Sequence, residues 1–427
     1  MSLSSKIAFN TIVQVLGRAI NVFLGLLITA FLTRFLGASG YGDYVFVTST
    51  VLFFVAFSDL GLGTIGVREA SKNEKAAPQI FANTLLTKLF LSFGAFVVFS
   101  VLAVILAQFT GLRSAALVAG LVLVFLSLRT SAEVIFQTKL RLELTSLLQV
   151  LSTLILILGI WLFRSQLSLF LVMKFWVFGA LITGVSGIIL ANRLAKITWS
   201  PNLPLSRRLF KEALPLGLFF LTYSAYDHGV DSFMLKTFIG AKAVGFYGLP
   251  YKIHSNLILV AAYLMNSLFP MLSGLQADRK EKLQLIYQKA LGLLLVLGTL
   301  GTLGTLVLAP LVVRIIAGPD FIPSVLALRI LSLATFFAFL NHLTGYTLVA
   351  LGKQKTLLKI ALLALLTNIA FNWLLIPRFS FYGAAVVTVL TEALVFILSS
   401  TSLARRMNLK IQIVLNKRFY GVPVPRK

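Results

Sequence analysis

The 427-residue chain contains no cysteine, which excludes disulfides, thiolate metal sites and thiol nucleophiles. Acidic residues are scarce, 13 against 38 lysines and arginines, and charged residues of both signs make up only 12% of the chain. No P-loop is present, nor any HExxH, GxSxG or DxD pattern, so nothing supports ATP hydrolysis, metal-dependent hydrolysis or nucleotide-sugar transfer. Long polar stretches are lacking as well. With 58% hydrophobic residues and a mean hydropathy of +0.95, the chain is too apolar for a soluble domain and reads as an integral membrane protein. A net charge of +25 would point to nucleic acid in a soluble protein, but here its distribution reports topology, and no nucleic-acid partner is expected.

What the chain does have is a succession of apolar runs. A helix needs about 20 mostly apolar residues to cross a bilayer. The alternation of a membrane β-barrel is absent, so the spans are helices. The runs place them at 9–33, 43–63, 81–108, 114–137, 144–163, 168–192, 213–239, 245–275, 285–312, 322–350, 356–376 and 381–404. The first run lacks a small-residue cleavage pattern and is read as a retained helix. These spans give an N-terminal six-helix lobe (1–192), a basic linker (193–212), a C-terminal six-helix lobe (213–404) and a basic tail (405–427). Six spans per half start both halves on the same side, as parallel repeats about an axis along the membrane normal.

An internal echo supports two related halves. Leu32 to Tyr44 reads LTRFLGASGYGDY and Leu235 to Tyr247 reads LKTFIGAKAVGFY. Without a gap they match at Leu32/Leu235, Phe35/Phe238, Gly37/Gly240, Ala38/Ala241, Gly42/Gly245 and Tyr44/Tyr247. Unrelated segments of ordinary composition would share about one residue over that length.

Basic residues outside the spans or within a turn or so of their ends divide 25 to one side and 7 to the other, which puts both termini in the cytoplasm. The linker, with Pro201, Pro204 and five basic residues, and the tail, with its RR, KR and RK pairs, are candidate contacts for anionic lipids. The outer loops are short, so function lies inside the membrane.

Charges inside the spans are therefore the candidates, since each one placed centrally costs roughly 2.5–3.5 kcal/mol on insertion scales. The cations are Arg18, Lys88, Arg129, Lys174, Lys252 and Arg329; the acids are Asp59, Glu133, Asp227, Asp231 and Glu392. Arg18, with Asn21 three residues on, lies too deep to reach the interface and is expected to line a polar cavity. Lys88, about two turns from the cytoplasmic end, is expected to snorkel to the headgroups, with Asp59 in a structural contact. Arg129 and Glu133, four apart, either neutralise each other or serve transport. Lys174 either snorkels or faces the cavity. Asp227 and Asp231 share a helical face, with Lys252 and His254 on the returning span, an arrangement for a structural pair or a gate. Arg329 has no acid near it in sequence, and His342 and Glu392 read as interhelical hydrogen bonds. Cations in surplus over acids fit an anion, and arginine makes paired hydrogen bonds to phosphate oxygens.

These residues resemble a family. FLGASGYGDY, SDLGLGTIGVREASK, ALPLGLFF, IGAKAVGFYGLPYKI, LVALGKQKTLLK, Asn368, Asn372 and IPRFSFYGAAVVTVLTEA, in that order and spacing, are similar to the polysaccharide-biosynthesis flippases of the multidrug/oligosaccharidyl-lipid/polysaccharide exporter superfamily. The resemblance implies an all-α, V-shaped pair of lobes, as in the multidrug exporters, around a cationic cavity that alternates between inward- and outward-facing states. It implies a polyprenyl-diphosphate oligosaccharide as substrate and no enzymatic cofactor. It implies further a polysaccharide polymerase as candidate partner, and protons or sodium ions as candidate coupling ions. Arg18, Lys252, Arg329, Lys174 and Arg129 would then contact diphosphate or acidic sugar, and Asp227 and Asp231 would pair with cations or couple to an ion. The repeated Gly37–Gly42 and Gly240–Gly245 would be tight outer turns. A drug/cation antiporter of the same superfamily is the alternative, but that branch tends to carry an acid on the first helix where this chain has Arg18. A lipid-linked peptidoglycan precursor flippase usually has two further helices. An embedded polymerase or ligase generally needs a substantial outer loop.

Overall fold

The computed structural model describes residues 3–197, 199–273 and 280–407, and among these there are helices and short connections but no strand. Helix is the form that satisfies every backbone group within its own segment, which hydrocarbon demands. In chain order the helices are α1 (Leu3–Asp59), α2 (Leu62–Lys72), α3 (Ala77–Ile105), α4 (Arg113–Thr138), α5 (Leu142–Leu162), α6 (Leu169–Ala195), α7 (Leu203–Ser224), α8 (Val230–Phe238), α9 (Ala241–Ser273), α10 (Lys280–Ala317), α11 (Ser324–Ala350) and α12 (Gln354–Met407). A wide turn of π-helix, Ala225–Gly229, joins α7 to α8.

Eight helical runs among the described residues are long and apolar enough to cross a membrane. Two of them, Ile12–Lys72 and Gln354–Arg405, each hold two of the spans expected from the sequence. Their breaks fall where the apolar runs predict them. Gly37 interrupts α1 at φ 64°, and Ser380, just after Pro377, interrupts α12 at φ 53°. Gly240, the repeat partner of Gly37, separates α8 from α9 at φ 112°. A positive φ is open to glycine at no steric cost, so the matched glycines mark matched turns. Large apolar side chains such as Phe90, Val307 and Leu366 are exposed, as lipid-facing residues must be.

The helices cluster into two compact units. The first runs from the N-terminus to Leu249 and includes Pro310–Ala327 and Leu365–Ala384; the second takes Pro250–Ala309, Leu328–Ala364 and the chain from Ala385 on. The first is cored by Leu62, Ile65, Phe81, Leu85, Phe136 and Leu209. Small residues let its backbones approach: a Cβ at Gly184 of α6 would stand 2.6 Å from the Phe125 carbonyl oxygen of α4, and one at Gly179 3.0 Å from that of Ser152 on α5. The second unit is cored by Met265, Leu272, Leu294, Phe339 and Leu343.

In the basic stretch between the two predicted lobes, α7 already begins at Leu203, capped by Asn202, whose side chain accepts from the Leu205 N–H at 2.9 Å. Buried Asn83 of α3 ties the stretch down, accepting from the Asn202 N–H at 2.7 Å and from Ser206 Oγ at 3.0 Å. Arg208 Nε donates to Glu212 Oε1 at 2.9 Å, and Arg68 of α2 reaches the other oxygen of the same carboxylate. The expected lipid contacts of the tail lie outside the described residues beyond Met407.

The hydrogen bond from Arg208 holds the Glu212 carboxyl below the ordinary glutamate value. A lowered folded pKa means the stabilisation is complete above the ordinary glutamate range and is lost as pH falls through the lower folded value. Arg208 is exposed and Glu212 partly so, and solvent screens the pair, so the effect on stability is small. The expected result is a fall in hydrogen-exchange protection of residues 203–212 on acidification, whereas Glu212→Gln shows the low protection already at neutral pH.

Candidate functional site: a charged cavity and a buried aspartate in the first unit

α1 ends at Asp59, and the chain turns sharply through Leu60 (φ 40°) and Gly61 (φ 79°) into α2. The turn exposes backbone N–H groups, and the Asp59 carboxylate takes them: Oδ2 accepts from Gly61 at 3.1 Å and Oδ1 from Gly63 at 3.3 Å. Lys88 arrives from α3, with 1% of its side chain exposed, and sets Nζ 2.6 Å from Asp59 Oδ1. It also donates to Thr130 Oγ1 of α4 at 2.8 Å. Gly63 leaves room for the pair, since a Cβ there would stand 3.2 Å from Asp59 Oδ1 and 3.7 Å from Lys88 Nζ. Lys88 therefore does not snorkel as its depth in the sequence predicts. A carboxylate at its own level on a neighbouring helix satisfies the ammonium more cheaply than extension to the headgroups would.

These groups form one wall of a cavity of about 550 Å³ whose other walls are Thr64 and Val67 of α2, Ser127 and Glu133 of α4, and Phe220 and Tyr223 of α7. Glu133 senses the charges of Arg129 and Lys88, yet it makes no hydrogen bond or ion-pair contact among the described residues. Arg129, one turn back, is half-buried, and its Nε has no acceptor among the described residues. The cavity walls thus carry two acids, Asp59 and Glu133, and one base, Lys88, while Arg129 stands one turn from Glu133 outside the lining.

The remaining predicted residues divide between the units. In the first, Arg18 is half-buried with a buried Nε that has no acceptor among the described residues. Asn21 donates to the Gly17 carbonyl at 3.0 Å and accepts from Thr153 of α5 at 2.8 Å, fastening α1 to α5. Lys174 is exposed, its ammonium 4.4 Å from the centre of the Phe170 ring. Asp227 lies half-buried in the π-helical turn. Asp231 is buried; its carboxylate accepts from Asn372 Nδ2 at 2.6 Å and from the Tyr247 hydroxyl. Asn368 Oδ1 accepts from the same Asn372 amide at 3.0 Å, and Asn372 Oδ1 has no donor among the described residues. In the second unit His254 is buried against Thr335 Oγ1 at 2.8 Å, and Lys252 is exposed. Arg329 is exposed and donates to the Leu306 carbonyl at 3.1 Å. Glu392 accepts from Asn341 across α11 and α12 at 2.6 Å, the interhelical bond expected of it, and His342 Nδ1 lies 2.9 Å from the Ala338 carbonyl one turn back on its own helix.

Sequence reasoning singled out neither Lys88 as a cavity residue nor Tyr247 as a partner of Asp231. A signal existed for both. Asp59–Leu60–Gly61–Leu62–Gly63 is a carboxylate followed by two glycines, the pattern of an acid capping a tight turn, and Tyr247 is the last matched position of the internal repeat.

The model of the polysaccharide biosynthesis protein family matches residues 7–276. The chain belongs to that family. The MatE family model also matches residues 215–374. Among relatives, a protein of Escherichia coli strain K12 named as an O-antigen transporter is 23% identical over 403 residues, 92% of this chain and 95% of the relative. A Haloferax volcanii protein named as a flippase, AglR, is 27% identical over 188 residues, 41% of this chain and 38% of the relative. Among solved structures, the lipid II flippase MurJ in an inward closed conformation superposes at TM-score 0.73 with 14% identity, covering 93% of this chain and 87% of that one. An inward-facing multidrug resistance MATE family transporter superposes at 0.72 with 14% identity, covering 91% and 96%. The family member described here has the fold of these exporters, and the all-helical, multi-pass membrane architecture expected from composition is the one observed.

Proposed function

We propose that this chain moves a polyprenyl-diphosphate-linked oligosaccharide from the cytoplasmic to the outer leaflet for polysaccharide biosynthesis. The observation that carries the reading is the pair of buried guanidinium nitrogens, Nε of Arg18 and of Arg129, that have no acceptor among the described residues of an otherwise apolar chain. Such donors are costly in a membrane unless a ligand completes them, and guanidinium groups match phosphate oxygens. The near-full-length likeness to a protein named as an O-antigen transporter supports the choice of substrate class.

On this reading the chain makes twelve spans in two lobes with cytoplasmic termini and works by alternating access. Arg18, Arg129, Lys174, Lys252 and Arg329 supply contacts to the diphosphate. Asp231, set among the Tyr247 hydroxyl and the Asn368 and Asn372 amides, is the acid that couples the cycle to protons or sodium ions, with Asp227 beside it on the same stretch of chain. The basic linker and tail meet anionic lipids, and a polysaccharide polymerase receives the flipped product.

The test is transbilayer movement of a fluorescent polyprenyl-diphosphate oligosaccharide in proteoliposomes. Native protein is expected to move it, and Arg18→Ala, still folded, to slow it by about tenfold or more, the scale of a lost charge-assisted hydrogen bond. Efflux of an organic cation, with no movement of any glycolipid, would replace the flippase reading with that of a drug antiporter.

A further inference from the structure

Of the charged groups around the cavity of the first unit, three are accounted for by the fold or by the proposed anion contact. Asp59 caps the α1–α2 turn, Lys88 is bound to Asp59 and Thr130, and Arg129 is a diphosphate candidate. Glu133 is not accounted for. Glu133 lines the cavity and makes no hydrogen bond among the described residues, while the hydroxyls of Ser127 and Thr130 stand on the same helix and Tyr223, an exposed side chain of α7, also lines it.

We infer that this cavity is a glycan subsite, in which Glu133 accepts hydrogen bonds from sugar hydroxyls and Tyr223 packs against the apolar face of a pyranose ring. The inference rests on the flippase reading and names the part of the substrate that this cavity takes. Three properties select a neutral, hydroxyl-bearing ligand. About 550 Å³ is far more than an ion occupies and suits one or two sugar rings. Glu133 already lies in the fields of Arg129 and Lys88, so a further cation gains little there. The charged side chains that line the cavity, Asp59, Glu133 and Lys88, leave an excess of negative charge, so a diphosphate gains little inside it either. What remains favourable is a ligand with many hydrogen-bond donors and an apolar face, since Glu133 is a half-buried carboxylate without a hydrogen bond among the described residues and a hydroxyl donor supplies one. The cavity is lined by Thr64 and Val67 of α2, the helix that carries Arg68 and Lys72 further along, and basic residues of this kind accumulate on the side where a cytoplasmic headgroup would enter.

The experiment compares binding of two probes to the purified full-length protein in lipid nanodiscs: undecaprenyl diphosphate alone, and the same lipid carrying one hexose or N-acetylhexosamine. Native protein is expected to bind at least one sugar-bearing lipid more tightly than the bare diphosphate. Glu133→Ala and Tyr223→Ala are each expected to reduce that sugar-dependent gain by about tenfold, the scale of one hydrogen bond to a charged group, while leaving the affinity for bare diphosphate unchanged. Glu133→Gln, which keeps an acceptor oxygen, is expected to retain part of the gain. Retained binding of the bare lipid shows that each variant is folded. Equal losses for both lipids, or no gain from any sugar, overturns the subsite while leaving the flippase reading standing. Sodium or proton binding that Glu133→Gln abolishes, with sugar discrimination intact, also overturns it and makes the cavity an ion site. Failure of native protein to bind either lipid defeats the flippase reading itself and the subsite with it.

Discussion

Replacing Gly42 with valine is expected to leave almost no folded protein in a detergent extract, whereas Gly301→Val is expected to behave as native. A Cβ at Gly42 would overlap the carbonyl oxygen of Ala241 and stand 2.8 Å from the Gly245 nitrogen; at Gly301 it would meet nothing within 4 Å. The obstruction at Gly42 is backbone, which cannot rotate away as a side chain can. Overpacking in a closed core typically costs 1–3 kcal/mol, about the low end of what a clash with a carbonyl oxygen imposes. The contact is reciprocal. A Cβ at Gly245 would overlap the carbonyl oxygen of Ala38 and stand 3.2 Å from the Gly42 nitrogen. Ala38 and Gly42, and Ala241 and Gly245, are each a pair of small residues four apart, the spacing that lets membrane helices approach backbone to backbone. In the internal repeat Ala38 matches Ala241 and Gly42 matches Gly245, so the same patch is used twice, each copy pressed on the other in the pattern of a two-fold interface. The Lys236–Asp43 ion pair at 2.5 Å and the Ser49–Ser232 contact at 3.4 Å flank the same junction. Size-exclusion profiles and thermal unfolding midpoints of Gly42→Val, Gly245→Val and Gly301→Val decide the matter. A Gly42→Val protein with a native profile would remove the close approach from the account.

That contact also shows why some of this architecture was legible in the sequence. A repeated glycine with positive φ and a repeated small residue at an interface are both requirements of backbone geometry, which tolerates few substitutes, so they leave letters behind: Gly37 and Gly240, Gly42 and Gly245. Helix breaks were legible for the same reason, and the kink at Ser380 falls within the run IPRFSFYG. Side-chain pairing was not. Depth along α3 made Lys88 look able to reach the headgroups, because position on one helix says nothing of what a neighbouring helix holds at the same level. Arg129 and Glu133 are four apart, which allowed either mutual neutralisation or a role in transport; they interact through their fields, and Glu133 lines the cavity. Asn21 read as a companion of Arg18 and proved to be a tie to Thr153, since an amide offers both a donor and an acceptor and the nearest helix used both. Hydrogen bonds between helices depend on packing that no local pattern encodes.

The Asp59–Lys88 pair makes the second large prediction, and its form is an asymmetry. Lys88 has 1% of its side chain exposed and Asp59 has 31%. Removing Asp59 strands an ammonium whose side chain is almost wholly enclosed and which has Thr130 left to accept from it. Removing Lys88 strands a carboxylate that keeps the Gly61 and Gly63 N–H groups and a face on the cavity. Breaking a buried pair by deleting one member costs about 3–5 kcal/mol when the survivor is left unpaired, and an apolar replacement of both members is often close to neutral. Asp59→Ala is therefore expected to lower the unfolding midpoint far more than Lys88→Met does. The double variant Asp59→Ala/Lys88→Met is expected to recover most of the loss, leaving chiefly the cost of the missing cap on the α1–α2 turn, about 0.5–2 kcal/mol. The cycle of native, two single and one double variant measures the coupling directly. Equal losses for the two single variants, or a double variant as unstable as Asp59→Ala alone, would mean that Lys88 is held by the cavity wall and not by Asp59.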